Sequence, residues 1–270
     1  MPVYDEKTDD EKARWYSSGA RFYVEGRPRY PAALIAAAAA AAVTRWRTDS
    51  RVLEIGSGPG TATQDFAALG GRFTCVEPNA DFVAIAREIL APFPDVSFQT
   101  STLEQADLPV PFDIVLAASS FHWIDRQRGV RRIGEVLVPG GFAVLLWNKE
   151  PQPAAGQAEA VEEAFRRSGY KQPIARQSRD DVAAVFRGLA RPLQTEAFEE
   201  RLFCHVELAE DYGIERFVAL HRSLSPFLAL APEWQERVAE ALTGNLRALL
   251  GPVIPTTRIS AAHIFQKAER

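Results

Sequence analysis

Leu53-Glu54-Ile55-Gly56-Ser57-Gly58-Pro59-Gly60 is the stretch on which the reading of this chain turns. An apolar run that begins at Val52 meets three glycines at alternating positions, and helical spacing starts near Thr61. Glycine permits a tight turn and removes side chains where a ligand has to touch backbone. The helix beyond the turn offers unpaired N–H groups to a carboxylate or a phosphate. Strand, glycine turn and helix in that order predict a nucleotide-like ligand at the carboxyl ends of the strands of an α/β sheet.

Working outward, short β-rich runs alternate with helical ones from Arg51 to Trp147. Arg51–Ile55, Phe73–Glu77, Val96–Gln99, Phe112–Ala118 and Gly141–Trp147 read as strands. Ala62–Leu69, Asp81–Leu90 and Arg126–Val138 read as helices, the last stopped by Pro139-Gly140-Gly141. Such alternation implies right-handed crossovers and a parallel sheet. After Trp147 the character changes: Pro151–Ala155 is rich in proline and alanine, and Gln157–Ser168 and Arg179–Leu189 are amphipathic. They predict a small helical cap inserted after the fifth strand. A strand at Leu202–Val206, helices at Ile214–Leu224 and Glu233–Leu249, and a strand at Arg258–Phe265 complete the chain. The expected architecture is α/β and Rossmann-like: a mostly parallel seven-stranded sheet with helices on both faces. Residues 1–49 would supply a lid and first helices, 50–149 the ligand-binding core, 150–194 the cap, and 195–270 the elements that finish the sheet.

Composition narrows the partners. In 270 residues, Lys+Arg 31 against Asp+Glu 35 give a formal charge of −4, which supplies no basic field for a phosphate backbone, so no nucleic acid is expected. Cys75 and Cys204 stand far apart and form neither a disulfide framework nor a zinc spacing, which fits a reducing cytoplasm. The apolar run Ala32–Val43 is too short to span a bilayer, and Tyr4–Arg14 is acidic and polar, unlike a signal peptide. No membrane partner and no metal are expected. Oligomeric state is not written in the sequence.

Glu77 ends the second predicted strand, seventeen positions after Gly60. A carboxylate there accepts both hydroxyl hydrogens of a ribose. Taken alone it would read as a solvated acid capping Pro78-Asn79-Ala80. The dinucleotide fingerprint of nicotinamide enzymes needs a glycine where Thr61 stands. Glu54, two residues before the first glycine, would also sit awkwardly beside a pyrophosphate, whereas a cofactor with an amino-acid tail tolerates it.

This combination resembles the class I S-adenosylmethionine-dependent methyltransferases. Tyr23-Val24-Glu25-Gly26-Arg27-Pro28-Arg29-Tyr30-Pro31 and Ser119-Ser120-Phe121-His122-Trp123-Ile124-Asp125 are similar to motifs of a small-molecule subgroup around the trans-aconitate methyltransferases. The likeness runs from Tyr23 to about Trp147, with a looser echo in the last two strands; Glu150 to Arg201 matches no motif. It implies S-adenosylmethionine as cofactor, with Tyr23 and Arg27 closing over its methionine end. Glu54 would organise the turn Gly56, Ser57, Gly58 and Gly60, and Glu77 with Pro78 would hold the ribose. Thr102, Leu103 and Glu104 would flank the adenine, although Ser101-Thr102-Leu103-Glu104 departs from the family's Gly-x-Ala-Glu. Ser119 and His122 would lie near the sulfonium and the incoming acceptor.

His122 reads either as a general base suited to neutral pH or as a packed histidine bonded to backbone. Trp123 reads as pocket wall, with a ring face available to a cation. Asp125 reads as the cap of the following helix. Asp113, His122 and Ser119 suggest a hydrolase triad, but no G-x-S-x-G elbow accompanies them. Tyr16, Trp147 and Asn148 are pocket-wall candidates, against ordinary core packing. His221 and Arg222 line either a substrate mouth or a solvated helix face. The implied reaction moves a methyl group from S-adenosylmethionine to an O, N or C nucleophile of a small molecule by in-line displacement. The alternatives are a non-catalytic protein that binds the same cofactor, and a nicotinamide-dependent oxidoreductase.

Overall fold

The computed structural model describes residues 9–108, 111–172, 174 and 177–269. Helices α1 (Asp9–Arg14), α2 (Ala20–Gly26) and α3 (Ala32–Ala41) precede β1 (Arg51–Ile55). There follow α4 (Thr61–Ala67), β2 (Arg72–Val76), α5 (Ala80–Ile89), β3 (Val96–Gln99), β4 (Phe112–Ala118), α6 (Arg126–Val136) and β5 (Leu137–Asn148). The rest comprises β6 (Gln152–Pro153), α7 (Ala158–Ser168), α8 (Arg179–Ala190), β7 (Phe198–Gly213), α9 (Ile214–Arg222), α10 (Ser225–Leu228), α11 (Pro232–Leu250) and β8 (Val253–Lys267).

The strands form one mostly parallel sheet in the order β3-β2-β1-β4-β5-β8-β6, with β7 paired to β8. β1 pairs in parallel with β2 on one side and β4 on the other, so the winding direction reverses between β1 and β4. The crevice beyond the carboxyl ends of two such strands is where an open α/β sheet binds its ligand. In β1, Val52, Leu53, Glu54 and Ile55 are all buried, as in a strand covered on both faces. β8 runs antiparallel to β5 and β6.

Two expectations need correction. The sheet has eight strands, not seven; the extra one is β6, only Gln152–Pro153, too short to leave an alternating pattern. Helix α6 ends at Val136, and Pro139-Gly140-Gly141 lies inside β5. Phe112 pairs with Leu137 and Ile114 with Phe142, so β5 bulges by several residues there. Gly140 takes φ 69°, and a side chain on Gly141 would stand 2.9 Å from the Asp113 carbonyl. The glycines let the chain loop out and rejoin the strand.

The chain divides into two compact units. The first gathers the segment ending at Pro28, Lys149–Ser178 and Glu207–Ile259; the second gathers Arg29–Asn148, Arg179–Val206 and the segment from Ser260 onward. The core of the second unit joins Leu34, Ile35 and Ala38 of α3 to Val52, Phe66, Phe73, Leu116, Phe142, Val144 and Ile264. Among the described residues no helix is long and apolar enough to cross a membrane. The core of the first unit is Val161, Phe165, Tyr170, Tyr212, Phe217, Leu242, Leu246 and Ile254.

Candidate functional site

In the second unit, Gly56, Gly58 and Gly60 have φ of 60°, 55° and 85°, a left-handed conformation that side-chain-bearing residues rarely adopt. Each glycine has a different surrounding. A Cβ on Gly56 would strike Ser120 Cβ at 2.7 Å, and one on Gly60 would strike Leu90 Cδ1 at 2.6 Å. One on Gly58 would meet nothing within 4 Å. Gly58 therefore presents bare backbone to open space.

Glu77 follows β2 and is buried. Its Oε2 accepts from the Gly58 N–H at 2.9 Å, and its Oε1 accepts from the Asn79 N–H at 2.8 Å. Each carboxylate oxygen keeps a lone pair for a further donor. Burial raises the Glu77 carboxyl above its ordinary range, and the two backbone donors oppose that rise. Asn79 caps α5 by accepting from the Asp81 and Phe82 N–H groups. Pro78 is half-buried between the two. Because β2 pairs with β3, the Ser101 N–H donates to the Glu77 carbonyl at 3.2 Å, and Thr102 follows at once. Leu103 is buried and Glu104 exposed.

Glu54 is 1% exposed beneath the turn. It bonds to Thr63, its other oxygen has no partner, and burial raises its carboxyl to about 8. Ser57 is buried as well.

Beyond β4 stands Ser119, with φ 54° the one positive-φ non-glycine among the described residues. Strain of that kind concentrates at functional sites. Its hydroxyl accepts from Tyr30 Oη at 2.9 Å and from the Asn148 N–H at 3.2 Å. The Asn148 side chain accepts from Ser260 at 2.6 Å. Ser120 donates to the Ile55 carbonyl, which ties the end of β4 to the end of β1. His122 and Trp123 are exposed; the His122 ring lies 4.7 Å from Trp123 and 6.0 Å from Trp147. Trp147 is buried and stacks on Phe186 at 5.9 Å. Asp125 caps α6 through the Gln127 and Arg128 N–H groups. Asp113 accepts from the Arg51 N–H at 3.0 Å, at the amino end of β4, so the length of that strand separates it from Ser119. These residues form no hydrolase triad.

In the first unit, Arg27 donates to Ser223 at 3.1 Å and to Glu150 at 3.2 Å, and lies 5.0 Å above the Tyr23 ring. Burial opposes the Glu150 charge, but Arg27 overrides it and holds that carboxyl below its ordinary range. Tyr16 shares a 3.2 Å hydrogen bond with Ser225. His221 is buried against Phe165, Tyr170 and Phe217, not on a solvated face, and burial pushes it down to about 3, so it stays neutral. Arg222 pairs with Glu236 at 3.0 Å and lies 3.7 Å over the Phe22 ring, which leaves its charge already matched.

Glu54, the glycine turn, Glu77, Pro78, Thr102 to Glu104, Ser119, His122, Trp123, Trp147 and Asn148 thus belong to one unit, and Tyr16, Tyr23, Arg27, His221 and Arg222 to the other. Sequence reasoning missed Thr63, Tyr30, Phe186 and Glu150. Two of them left a local signal: Glu150 is an acid just past the carboxyl end of a strand, and Tyr30 stands inside the quoted stretch Tyr23 to Pro31.

Residues 53–143 match the family model of a methyltransferase domain. An uncharacterized methyltransferase of Mycobacterium tuberculosis is 31% identical to this chain over 134 residues, 49% of this chain and 51% of that protein. A ubiquinone biosynthesis O-methyltransferase of Bradyrhizobium is 33% identical over 97 residues, 35% of this chain and 38% of that protein. The chain spans about half the length of the first curated relatives it matches. A solved structure from Anaeromyxobacter dehalogenans, described as a candidate type II methyltransferase, shares the fold: TM-score 0.62 at 21% identity, over 90% of this chain and 98% of that one. So does the [4+2]-cyclase SpnF, with TM-score 0.55 at 17% identity over 94% of each chain. The cofactor that a methyltransferase domain implies is S-adenosylmethionine, and the residues present fit it. The open side of Gly58 admits a close backbone contact, and the Glu77 carboxylate keeps acceptor capacity for ribose hydroxyls.

Proposed function

We propose that this chain transfers a methyl group from S-adenosylmethionine to a nucleophilic atom of a small molecule. The observation that carries the reading is the left-handed glycine turn, open at Gly58 and fastened by the Gly58 N–H to Glu77, inside the matched domain. Glu77 would hold the ribose, Thr102 to Glu104 would border the adenine, and Ser119 and His122 would stand toward the methyl-bearing end. When bound, the cofactor supplies an electrophilic methyl carbon. The protein then has to orient the acceptor and exclude water, which lowers the entropic part of the barrier. A carboxylate acceptor needs no base. For a neutral hydroxyl or amine, His122 is the group to take the proton. The net charge of −4 supports a small molecule over a nucleic acid, and two free cysteines support a reducing cytoplasm.

Calorimetry with S-adenosylmethionine, S-adenosylhomocysteine and NAD tests the pocket, and mass spectrometry against a metabolite panel tests turnover. Tight binding of the first two is expected, with Glu77→Ala weakening it at least tenfold, about 1.4 kcal/mol. Binding of NAD alone would sink the proposal. Binding of S-adenosylmethionine without methyl transfer to any acceptor would move the chain to the non-methylating proteins of this fold. An unchanged rate for His122→Asn with a saturating neutral acceptor would remove His122 as base.

A further inference from the structure

Among the described residues, the Glu54 carboxyl stands in a cluster without a cation. Its register neighbours are Cys75 on β2 and Leu116 on β4. The Cys75 thiol lies 4.0 Å from the Thr63 hydroxyl of α4, and Thr63 in turn bonds to Glu54. The other charged group that acts on it is Glu77, also an acid, and the other titratable neighbour, Cys75, is held as a thiol by burial. One Glu54 oxygen is satisfied by Thr63; Oε2 is buried with no partner. A carboxylate this deep, facing only acids and hydroxyls among the described residues, loses solvation and gains no counter-charge from them. It therefore holds its proton until a cation arrives nearby.

We propose that Glu54 is a charge-discriminating group: it is neutral beneath the empty glycine turn, gives up its proton when the cationic methyl donor binds, and keeps more of it when the uncharged thioether product binds. The inference rests on the cofactor reading above. Donor and product differ by one positive charge at sulfur. A buried, proton-bearing carboxyl under the turn converts that difference into a difference in proton release. The carboxyl's rise to about 8 places the exchange at neutral pH. The O–H bond of Glu54 breaks, its electrons stay on Oε2, and the proton passes to solvent.

The test is a proton inventory: titration calorimetry at pH 7 in two buffers of different ionisation enthalpy, with S-adenosylmethionine and then S-adenosylhomocysteine as probes. Release of about one proton per donor, and distinctly less per product, is expected. The ratio of donor to product affinity should rise about tenfold per pH unit between 6 and 7.5. In Glu54→Gln, which keeps the shape and cannot ionise, both differences should vanish. Equal proton counts for the two probes in the wild-type protein overturn the proposal while leaving the cofactor site standing, and so does release that persists in Glu54→Gln, because it would come from the ligand's own amine. Failure of both probes to bind overturns the cofactor reading and this proposal with it. The wild-type measurement decides even where the variant does not fold.

Discussion

At the residue scale, the buried acids and the strained serine make claims that a melting curve checks. Glu54 has its folded value raised to about 8 by burial. Between the ordinary carboxylate value and about 8 the folded state binds more protons than the unfolded one, so stability falls as pH rises through that window. The slope is about 1.4 kcal/mol per pH unit for one group. Glu54→Gln removes the titration. The stability difference between wild type and variant, measured by urea unfolding from pH 5 to 9, should move in the variant's favour up to about pH 8 and level off above it; a difference flat throughout would show that Glu54 titrates normally. Ser119 combines φ 54° with a hydroxyl held by Tyr30 and the Asn148 N–H. Alanine and glycine both lose those bonds, but only glycine relieves the backbone, a gain of about 1–2 kcal/mol that its greater unfolded freedom partly offsets. Ser119→Gly should unfold later than Ser119→Ala by roughly 1 kcal/mol. Equal midpoints would mean the serine is unstrained. Neither claim was legible in the sequence. Glu54 and Ser119 stood out by position, yet the Thr63 bond closes back across the glycine turn and the Tyr30 contact joins residues far apart in the chain, and no local pattern encodes either.

At the element scale, legibility follows how sharply an apolar run is bounded. β1, β3 and β4 occupy the ranges the sequence predicts, since their apolar runs are short and bounded. β7 spans Phe198–Gly213, while only Leu202–Val206 looked like strand. Its faces are half-exposed and carry Glu199, Glu200, Arg201, Glu207, Glu210 and Asp211, so outside the apolar centre it reads as loop. The glycine turn was legible because ligand chemistry constrains it, but its three glycines were not distinguishable from one another. The structure separates two of them. Gly56→Ala adds both left-handed strain and a 2.7 Å clash with Ser120, so it should destabilise the fold by about 2–4 kcal/mol. Gly58→Ala adds only the strain, about 1–2 kcal/mol, yet places a methyl where cofactor backbone contact is proposed. Unfolding midpoints and S-adenosylmethionine affinity measured on both should therefore rank oppositely to simple damage: Gly58→Ala the more stable of the two, and still deficient in binding. A Gly58→Ala protein that binds normally would take the open side of Gly58 out of the site.

At the scale of the whole molecule, the two compact units are each stitched from three separated segments. An insertion that can be cut out leaves the cores of its neighbours intact, and deletion of residues 150–194 tests whether this segment is one. Its excision would take α7, with Val161 and Phe165, out of the core of the first unit. It would also take α8 from the second unit, and with it Phe186, the ring stacked on Trp147. Loss of two such buried aliphatic and aromatic side chains from one core costs several kcal/mol, comparable to the whole stability of a typical domain. Deletion of residues 150–194, bridged by a short glycine-serine linker, should accordingly yield a protein without a cooperative thermal transition and with exposed apolar surface that binds a hydrophobic dye. A deletion variant that melts cooperatively and still binds S-adenosylmethionine would show the reverse, that the segment is a detachable cap on a self-sufficient core. The first outcome would mean that the segment in which no chemical motif was found is held in this protein by packing.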